Sequence, residues 1–173
     1  MIDQTTLAAL ASFPDQLESH FARVPRDYWN WSPASWDGVP SERYPALGQI
    51  CHVRDIETDG YHVRFRRVRA ETHPTLEPVD GDALAEGRRY AEADPAAVFA
   101  AIRQARAQTL GVLGEVRSDE WERTATFGEY GTVTLRSLVH YLCSHDQQHL
   151  AGLQWLLGRI SAERARTTAS STP

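Results

Sequence analysis

The sequence predicts an all-α protein, a four-helix bundle. Along four segments of the chain, apolar residues recur at spacings of three and four, the period of an amphipathic helix. Long connections that hold proline and glycine separate these segments, and no segment shows the alternation typical of a β-strand. At 173 residues and 42% hydrophobic content, the chain is long enough for one domain with its own core.

The first two helices are predicted over residues 3–23 and 45–71. Pro14 interrupts the first one, which is therefore either kinked or built as two pieces. Pro45 suits the first turn of the second helix, and Gly60 is a weak point within it.

The third helix is predicted to start at Asp94–Pro95, where an N-cap acceptor is followed by proline, and to end near residue 117. Thr134 is predicted to cap the last helix. We place the folded domain at residues 1–161. Residues 162–173 have no apolar period and are predicted to be a disordered C-terminal tail.

Three connections link these helices: residues 24–44, 72–93 and 122–133. The first carries three tryptophans within 29–36, so we expect it to pack over a core or a pocket mouth. The second is a long connection or a crossover, and the third is predicted to be a glycine-containing loop.

Composition excludes several classes of function. The net charge of −5 gives no basic surface for nucleic acid, and no apolar run approaches membrane-spanning length. All 18 basic residues are arginine, which excludes a lysine Schiff base or a lysine base. The N-terminus lacks the pattern of a signal peptide, so we expect a cytoplasmic protein acting on a small molecule.

The pattern that carries chemistry is His145 and His149, four residues apart on the last predicted helix. Residues at this spacing share a helical face and can chelate one metal ion, and His52 on the second helix is the candidate third ligand. Asp55 and Asp146 are candidates for carboxylates that orient these imidazoles. From spacing alone, two histidines that merely share a face remain an equal alternative.

Other polar residues receive structural interpretations. We expect His20, His62 and His73 to be structural or surface residues, and His140 to be rotated away from the metal-binding face. The arginine run at 64–69 is interpreted as a solvated face, although a helix that turns one arginine toward the pocket would let it meet an anionic substrate.

The segments Leu47–Asp55 and Thr132–His149 resemble the DinB/YfiT-like family of metal-binding four-helix bundles, and the likeness spans roughly residues 5–158. The resemblance implies an antiparallel bundle with a long crossover between the second and third helices. It also implies that His52, His145 and His149 are ligands of a divalent ion such as zinc or nickel. Family relatives include transferases and isomerases that use bacillithiol or mycothiol.

Three functions follow as hypotheses. The leading one is a metal-dependent S-transferase that binds a low-molecular-weight thiol and attacks a small electrophile. The second is a hydrolase that uses a metal-bound water, with Asp55 or Asp146 as its base. The third is a non-enzymatic, metal-stabilised bundle that binds a ligand or partner. A homodimer through an exposed helical face is a further expectation.

Overall fold

In the computed structural model, which describes residues 2–170, four helical arms form an antiparallel bundle. The second arm is continuous but composite, because a π-helical segment joins two α-helices within it. The predicted four-helix bundle is therefore confirmed. The bounds of the arms are α1 (Gln4–Phe21), α2 (Ala46–Asp55), the π segment (Ile56–Tyr61), α3 (His62–Ala70), α5 (Pro95–Gly114) and α6 (Leu135–Ser170).

Helix α1 begins with a side-chain cap, in which the carboxylate of Asp3 accepts a hydrogen bond of 2.9 Å from the backbone N–H of Thr6. Such a cap satisfies one of the unpaired N–H groups of the first turn. Pro14 is buried inside one continuous helix. Of the two alternatives that the sequence left open, a helix built as two pieces is therefore wrong.

The second arm follows Pro45 and runs without interruption to Ala70, close to the predicted bounds. The π segment is the part that the sequence did not reveal, and Gly60 lies within it. A π turn closes its hydrogen bonds between residues i and i+5, so it takes up one more residue than an α turn. The arm behind this segment is therefore rotated relative to an uninterrupted α-helix.

The arms pack in a closed arrangement, since α1 and α2 each contact both α5 and α6. Their apolar faces form two core clusters. One is built around fully buried residues such as Phe13, Ile50 and Leu153, and the other around Phe65 and Leu138. Helices α2 and α6, which carry the predicted metal ligands, are thus direct neighbours.

A small sheet corrects the expectation that the chain has no strand. Strand β2 (Thr124–Phe127) lies between β1 (Thr75–Leu76), to which it is parallel, and the antiparallel β3 (Thr132–Thr134). Ala125 pairs with Val133 across β2 and β3. These strands are too short to show an alternating pattern in the sequence, and the prediction that 122–133 is a glycine-containing loop is wrong for the residues of β2 and β3.

The connection at 72–93 is the crossover between the second and third arms, and it is partly ordered as β1 and as helix α4 (Gly81–Gly87). Asp80 caps α4 by accepting from the backbone N–H of Ala83 at 3.0 Å. Helix α4 contacts α2, so the crossover folds back onto the arm that carries His52.

The tryptophan-containing loop at 24–44 packs over the core, as predicted. The ring of Trp29 lies 5.4 Å from that of Phe21, and the ring of Trp36 stacks at 5.8 Å on Trp155 of α6. This packing holds the loop against the end of the bundle where α2 begins.

Thr134 precedes α6 and caps it, because its hydroxyl accepts a hydrogen bond of 3.1 Å from the backbone N–H of Ser137. Helix α6 continues to Ser170, where the sequence predicted a disordered tail over 162–173, although nearly all side chains beyond Ile160 are exposed. Residues 171–173 lie outside the described residues, and the domain boundary at 161 stays a prediction. Over residues 2–170, none of the helices is both long and apolar enough to cross a membrane.

Candidate metal centre

Three histidine rings converge at the contact between α2 and α6. The Nε2 atom of His145 lies 3.3 Å from Nε2 of His52 and 3.1 Å from Nε2 of His149. His145 and His149 reach the same point because they are one helical turn apart. The structure therefore brings together the three histidines that the sequence singled out.

A carboxylate that sequence reasoning missed completes this cluster. Glu42, in the loop before α2, places Oε2 3.0 Å from Nε2 of His149 and Oε1 3.6 Å from Nε2 of His52. One ligand atom from each of the four residues lies within 4.8 Å of all the others. The sequence around Glu42 carries no helical or strand pattern that fixes its direction, so no signal could have identified it.

The spacing of the nitrogens fits a single metal ion. Zinc binds imidazole at about 2.0–2.1 Å, so two nitrogens of a tetrahedral site are roughly 3.3 Å apart. The observed separations of 3.1 and 3.3 Å match this value. Three imidazoles and a carboxylate are a donor set that suits zinc or nickel, so the cluster could hold a divalent ion.

Gln49, another residue that the sequence did not reveal, orients His149. The Nδ1–H of His149 donates a short hydrogen bond to Oε1 of Gln49. The amide of Gln49 is itself fixed, because its Nε2 donates to Ser41 Oγ at 2.9 Å, to Glu42 O at 2.9 Å and to Tyr44 O at 3.2 Å. With its proton on Nδ1, His149 presents the lone pair of Nε2 to the cluster.

The electrostatics of the cluster favour metal binding. Burial and the neighbouring His149 and His52 hold the pKa of His145 well below its ordinary value. Burial also lowers the pKa of His149, although Glu42 opposes this shift. Burial raises the pKa of Glu42, but its close contacts with His149 and His52 outweigh this effect and hold the pKa far below the usual range. Neutral imidazoles and an ionised carboxylate are the forms that bind a metal ion.

Asp55 is not where the sequence analysis placed it. Its carboxylate accepts hydrogen bonds of 2.6 Å from Arg54 Nε and from the hydroxyl of Tyr90, and it forms an ion pair of 2.6 Å with Arg88 Nη1. The buried Nδ1 of His52 has no hydrogen-bond partner in the described part of the chain. The prediction that Asp55 orients His52 or serves as the base is therefore corrected, because the crossover supplies Asp55 with partners on another face of α2.

Asp146 also points away from the metal-binding cluster. Its Oδ2 lies 2.8 Å from Nη1 of Arg106, an ion-pair distance, although the angle is not that of a hydrogen bond. Arg106 donates to both carboxylate oxygens of Glu57, at 2.9 and 3.0 Å, and Thr109 donates to Glu57 at 2.6 Å. Asp146 thus belongs to a buried network in the bundle core and is not the predicted orienting carboxylate.

The remaining histidines have the roles that the sequence suggested. His140 is exposed and lies outside the cluster. His62 hydrogen-bonds to α5, His73 to two threonines of β2, and His20 to the backbone of its own helix. These contacts are structural and leave the cluster as the site with metal-binding geometry among the described residues.

A cavity of about 700 Å³ opens beside the cluster. Glu42, His52 and His145 line it together with Arg64 and several aromatic side chains. His149 is fully buried behind them. The volume is that of a typical small-molecule site, so a ligand of that size could reach the candidate metal position.

Together, the fold and this site define a helical bundle protein with a histidine- and carboxylate-lined pocket that could hold a metal ion. The chain belongs to the DinB superfamily, whose family model matches residues 9–153. Among solved structures, it is similar to YfiT from Bacillus subtilis, described as a probable metal-dependent hydrolase with an unusual four-helix bundle topology. That match has a TM-score of 0.79 and 18% identity, and covers 93% of this chain and 91% of that chain. A comparison with curated proteins gave no match.

Proposed function

We propose that the protein is a divalent-metal-dependent hydrolase of small molecules, with His52, His145 and His149 as metal ligands and Glu42 as the general base. The observation that carries this proposal is the carboxylate of Glu42 beside the three Nε2 atoms, 3.0 Å from that of His149, where it also lines the cavity. The description of YfiT, which shares the fold, as a probable metal-dependent hydrolase supports it.

The roles proposed for His149 as a ligand and Glu42 as the base follow from their different burial. His149 is fully buried and fixed by Gln49, and so is suited to hold the ion, whereas the side chain of Glu42 is 44% exposed and faces the cavity. A bound divalent ion would lower the pKa of a coordinated water toward neutrality. With a metal ion holding the Nε2 atoms of His149 and His52, Glu42 would be released from the contacts that lower its pKa and could accept a proton from the nucleophile and pass it to a leaving group.

A thiol-dependent S-transferase, which the family resemblance implies, is the alternative. It requires a thiolate, with bacillithiol or mycothiol as its source, to bind at the metal-binding cluster. Glu42 could accept a proton from a thiol as well as from water, so its position suits both reactions. We place hydrolysis ahead of thiol transfer because YfiT, which shares the fold, is described as a probable metal-dependent hydrolase.

The test begins with protein purified without a histidine tag and loaded with zinc or nickel. Turnover of a panel of small esters and amides is measured with and without bacillithiol or mycothiol. We expect one metal per chain, lost in His145→Ala, and hydrolysis that needs no thiol. We also expect Glu42→Gln to lower kcat/KM by about 100-fold or more while keeping the metal, because general bases contribute that much.

Glu86→Gln is the matched control, since Glu86 is an exposed glutamate on α4 outside the cluster and should leave both metal content and turnover unchanged. Turnover only in the presence of a thiol would replace the hydrolase with the transferase. Loss of metal in Glu42→Gln would make Glu42 a ligand instead of the base. A metal that raises thermal stability without any turnover would favour the non-enzymatic bundle.

A further inference from the structure

Arg64 is a buried arginine that lacks a charged partner among the described residues. Its side chain is 6% exposed, and Nη2 donates only to the backbone carbonyl of Glu77, at 3.3 Å. Its Nε is buried and has no hydrogen-bond partner in that part of the chain. Burial lowers its pKa, as expected for a cation with no neighbouring carboxylate. Burying a guanidinium in this way is costly, which calls for a reason beyond packing.

The surroundings of Arg64 contact the face of its guanidinium and supply no carboxylate to its N–H groups among the described residues. Its Cζ lies 4.3 Å from the centroid of the Phe127 ring and 5.1 Å from that of Tyr61. Aromatic rings stabilise a guanidinium through its face and do not use up its N–H donors. The N–H edge can therefore form the two parallel hydrogen bonds that an arginine makes with a carboxylate.

Gly60 gives the guanidinium its space. A Cβ atom at this position would lie 3.1 Å from Nη1 of Arg64 and 3.3 Å from Cγ2 of Val79. Any side chain here would press on the arginine, so the glycine keeps its head group in its present position in the cavity wall.

The π segment places Arg64 on the face of the second arm that carries His52. Arg64 follows His52 by twelve residues, and at about 100° per residue a regular α-helix would leave the two side chains roughly 120° apart. Because the π segment takes up one extra residue, the effective separation is eleven residues, or roughly 20°. Both side chains accordingly line the same cavity.

From these observations we propose that Arg64 binds a carboxylate group of the substrate, so that the pocket takes small organic carboxylic acids. The acid end of such a molecule lies at Arg64, an apolar body lies along the aromatic wall, and the reacting bond reaches the metal-binding cluster. This substrate class rests on the proposed hydrolase function, but carboxylate binding at Arg64 can be measured without any turnover.

The experiment compares binding of two probes of one shape, 4-phenylbutyrate and its neutral amide, by isothermal titration calorimetry. It uses zinc-loaded protein and, in parallel, protein stripped of metal with a chelator. We expect wild type to bind the acid about 10-fold or more tightly than the amide in both states. In Arg64→Gln this preference should fall below about twofold, and in Arg64→Lys it should be intermediate, because lysine keeps the charge without the paired donors.

Arg66→Gln is the matched control, since it removes the same charge from an exposed position on the same helix and should keep the full preference. Gly60→Ala keeps Arg64 but crowds its Nη1 atom, and we expect it to weaken the preference for the acid. This second variant tests the proposal even if Arg64→Gln does not fold.

The proposal is overturned if wild type binds the acid and the amide equally well, or if it binds neither probe detectably. It is also overturned if the preference survives in Arg64→Gln, or is present only with zinc, which would place the carboxylate on the metal. Failure of the hydrolase assay with an intact Arg64-dependent preference would refute the reaction and leave the anion site standing.

Discussion

Arg106 and Arg64 are both withdrawn from solvent, at 2% and 6% exposure, and both lie over aromatic rings, yet among the described residues Arg106 alone of the two has carboxylate partners. Arg106 forms paired hydrogen bonds with Glu57, lies beside Asp146 and donates to the carbonyl of Leu10. These contacts join α5 to the π segment, α6 and α1. Arg64 has aromatic rings on its faces and, within residues 2–170, no carboxylate.

The difference distinguishes a region held together by ion pairs from a pocket whose polar side chains lack such partners among the described residues. Around Arg106, charges of both signs lie close together: Glu57 forms paired hydrogen bonds with it, and Asp146 forms an ion pair, although the oxygens of Asp146 accept no hydrogen bond in the described part of the chain. At the pocket, the Nε2 atoms of three histidines face one another and the Nε of Arg64 has no partner in the described part of the chain. Buried polar groups without hydrogen-bond partners make the folded protein less stable, and such groups occur preferentially where a ligand binds.

The largest loss of stability should come from removing the charge of Arg106. Arg106→Met would leave the buried carboxylates of Glu57 and Asp146 without their cation, and we expect it to cost about 3–5 kcal/mol of unfolding free energy. For a domain of this size that is a fall of roughly 10 °C in Tm. Chemical denaturation measures the loss.

Arg103→Met serves as the control for this prediction, because Arg103 lies on the same helix but forms an exposed ion pair with Glu18, which should contribute under about 1 kcal/mol. A loss in Arg106→Met as small as that of the control would show that the network is not structural, and the comparison would fail.

The second-largest effect tests whether the cluster of His52, His145 and His149 binds a metal ion that stabilises the protein. Zinc at 100 times its dissociation constant should stabilise the protein by about 2.7 kcal/mol, since the ion binds the folded state. Thermal unfolding with and without a chelator measures this shift. His145→Ala should abolish it, and the exposed His140→Ala should retain it. An equal shift in both variants would place the ion elsewhere.

Asp55 is an intermediate case, a buried carboxylate with two arginines at the edge of the bundle. Burial raises its pKa, but Arg54, Tyr90 and Arg88 outweigh that effect and hold the pKa below the ordinary value of 3.8. Because the folded-state pKa is depressed, the stabilisation is present above about pH 4 and is lost as the pH falls through the folded-state value.

We therefore expect Asp55→Asn to cost about 2 kcal/mol near neutral pH, the scale of hydrogen bonds to a charged group. The variant should also lose less stability than wild type upon acidification below about pH 4. Urea unfolding over a pH series measures both, with the exposed Asp37→Asn as control. Parallel acid curves for wild type and Asp55→Asn would contradict the assignment.

The smallest expected change in stability, that of Arg64→Met, is the most direct test of the difference between Arg64 and Arg106. Arg64→Met removes a buried cation that has no carboxylate partner among residues 2–170, so we expect stability to change by less than about 1 kcal/mol or to rise. The same unfolding assay applies, with Arg66→Met as control. A cost near that of Arg106→Met would make Arg64 a structural residue and remove the distinction between the two regions.

Much of the fold could be predicted from the sequence because long helices repeat their pattern over many residues. The bundle, the cap at Thr134 and the crossover at 72–93 follow from periodicity, caps or family resemblance. The three short strands could not be predicted, because two to four residues do not establish an alternation. The π segment at 56–61 was also hidden, since its apolar spacing differs from that of an α-helix by a single residue.

The site was predictable only where its residues lie on helices with a readable face. The histidine pair 145 and 149 and the partner His52 were found in this way. Glu42 was not found, because its position depends on the path of a loop. Asp55 was misplaced, since a helical face tells which residues are neighbours but not which element packs against them.

The π segment has a consequence for how this pocket can change in evolution. Substitutions in the segment alter single side chains, whereas deletion of one codon within 56–61 would restore a regular α-helix and turn everything behind it by about 100°. Arg64 and its neighbours would then leave the cavity together, and the next face of the helix would enter. Deletion of a single codon could thus replace the residues of one pocket wall while the positions of the histidines stay unchanged.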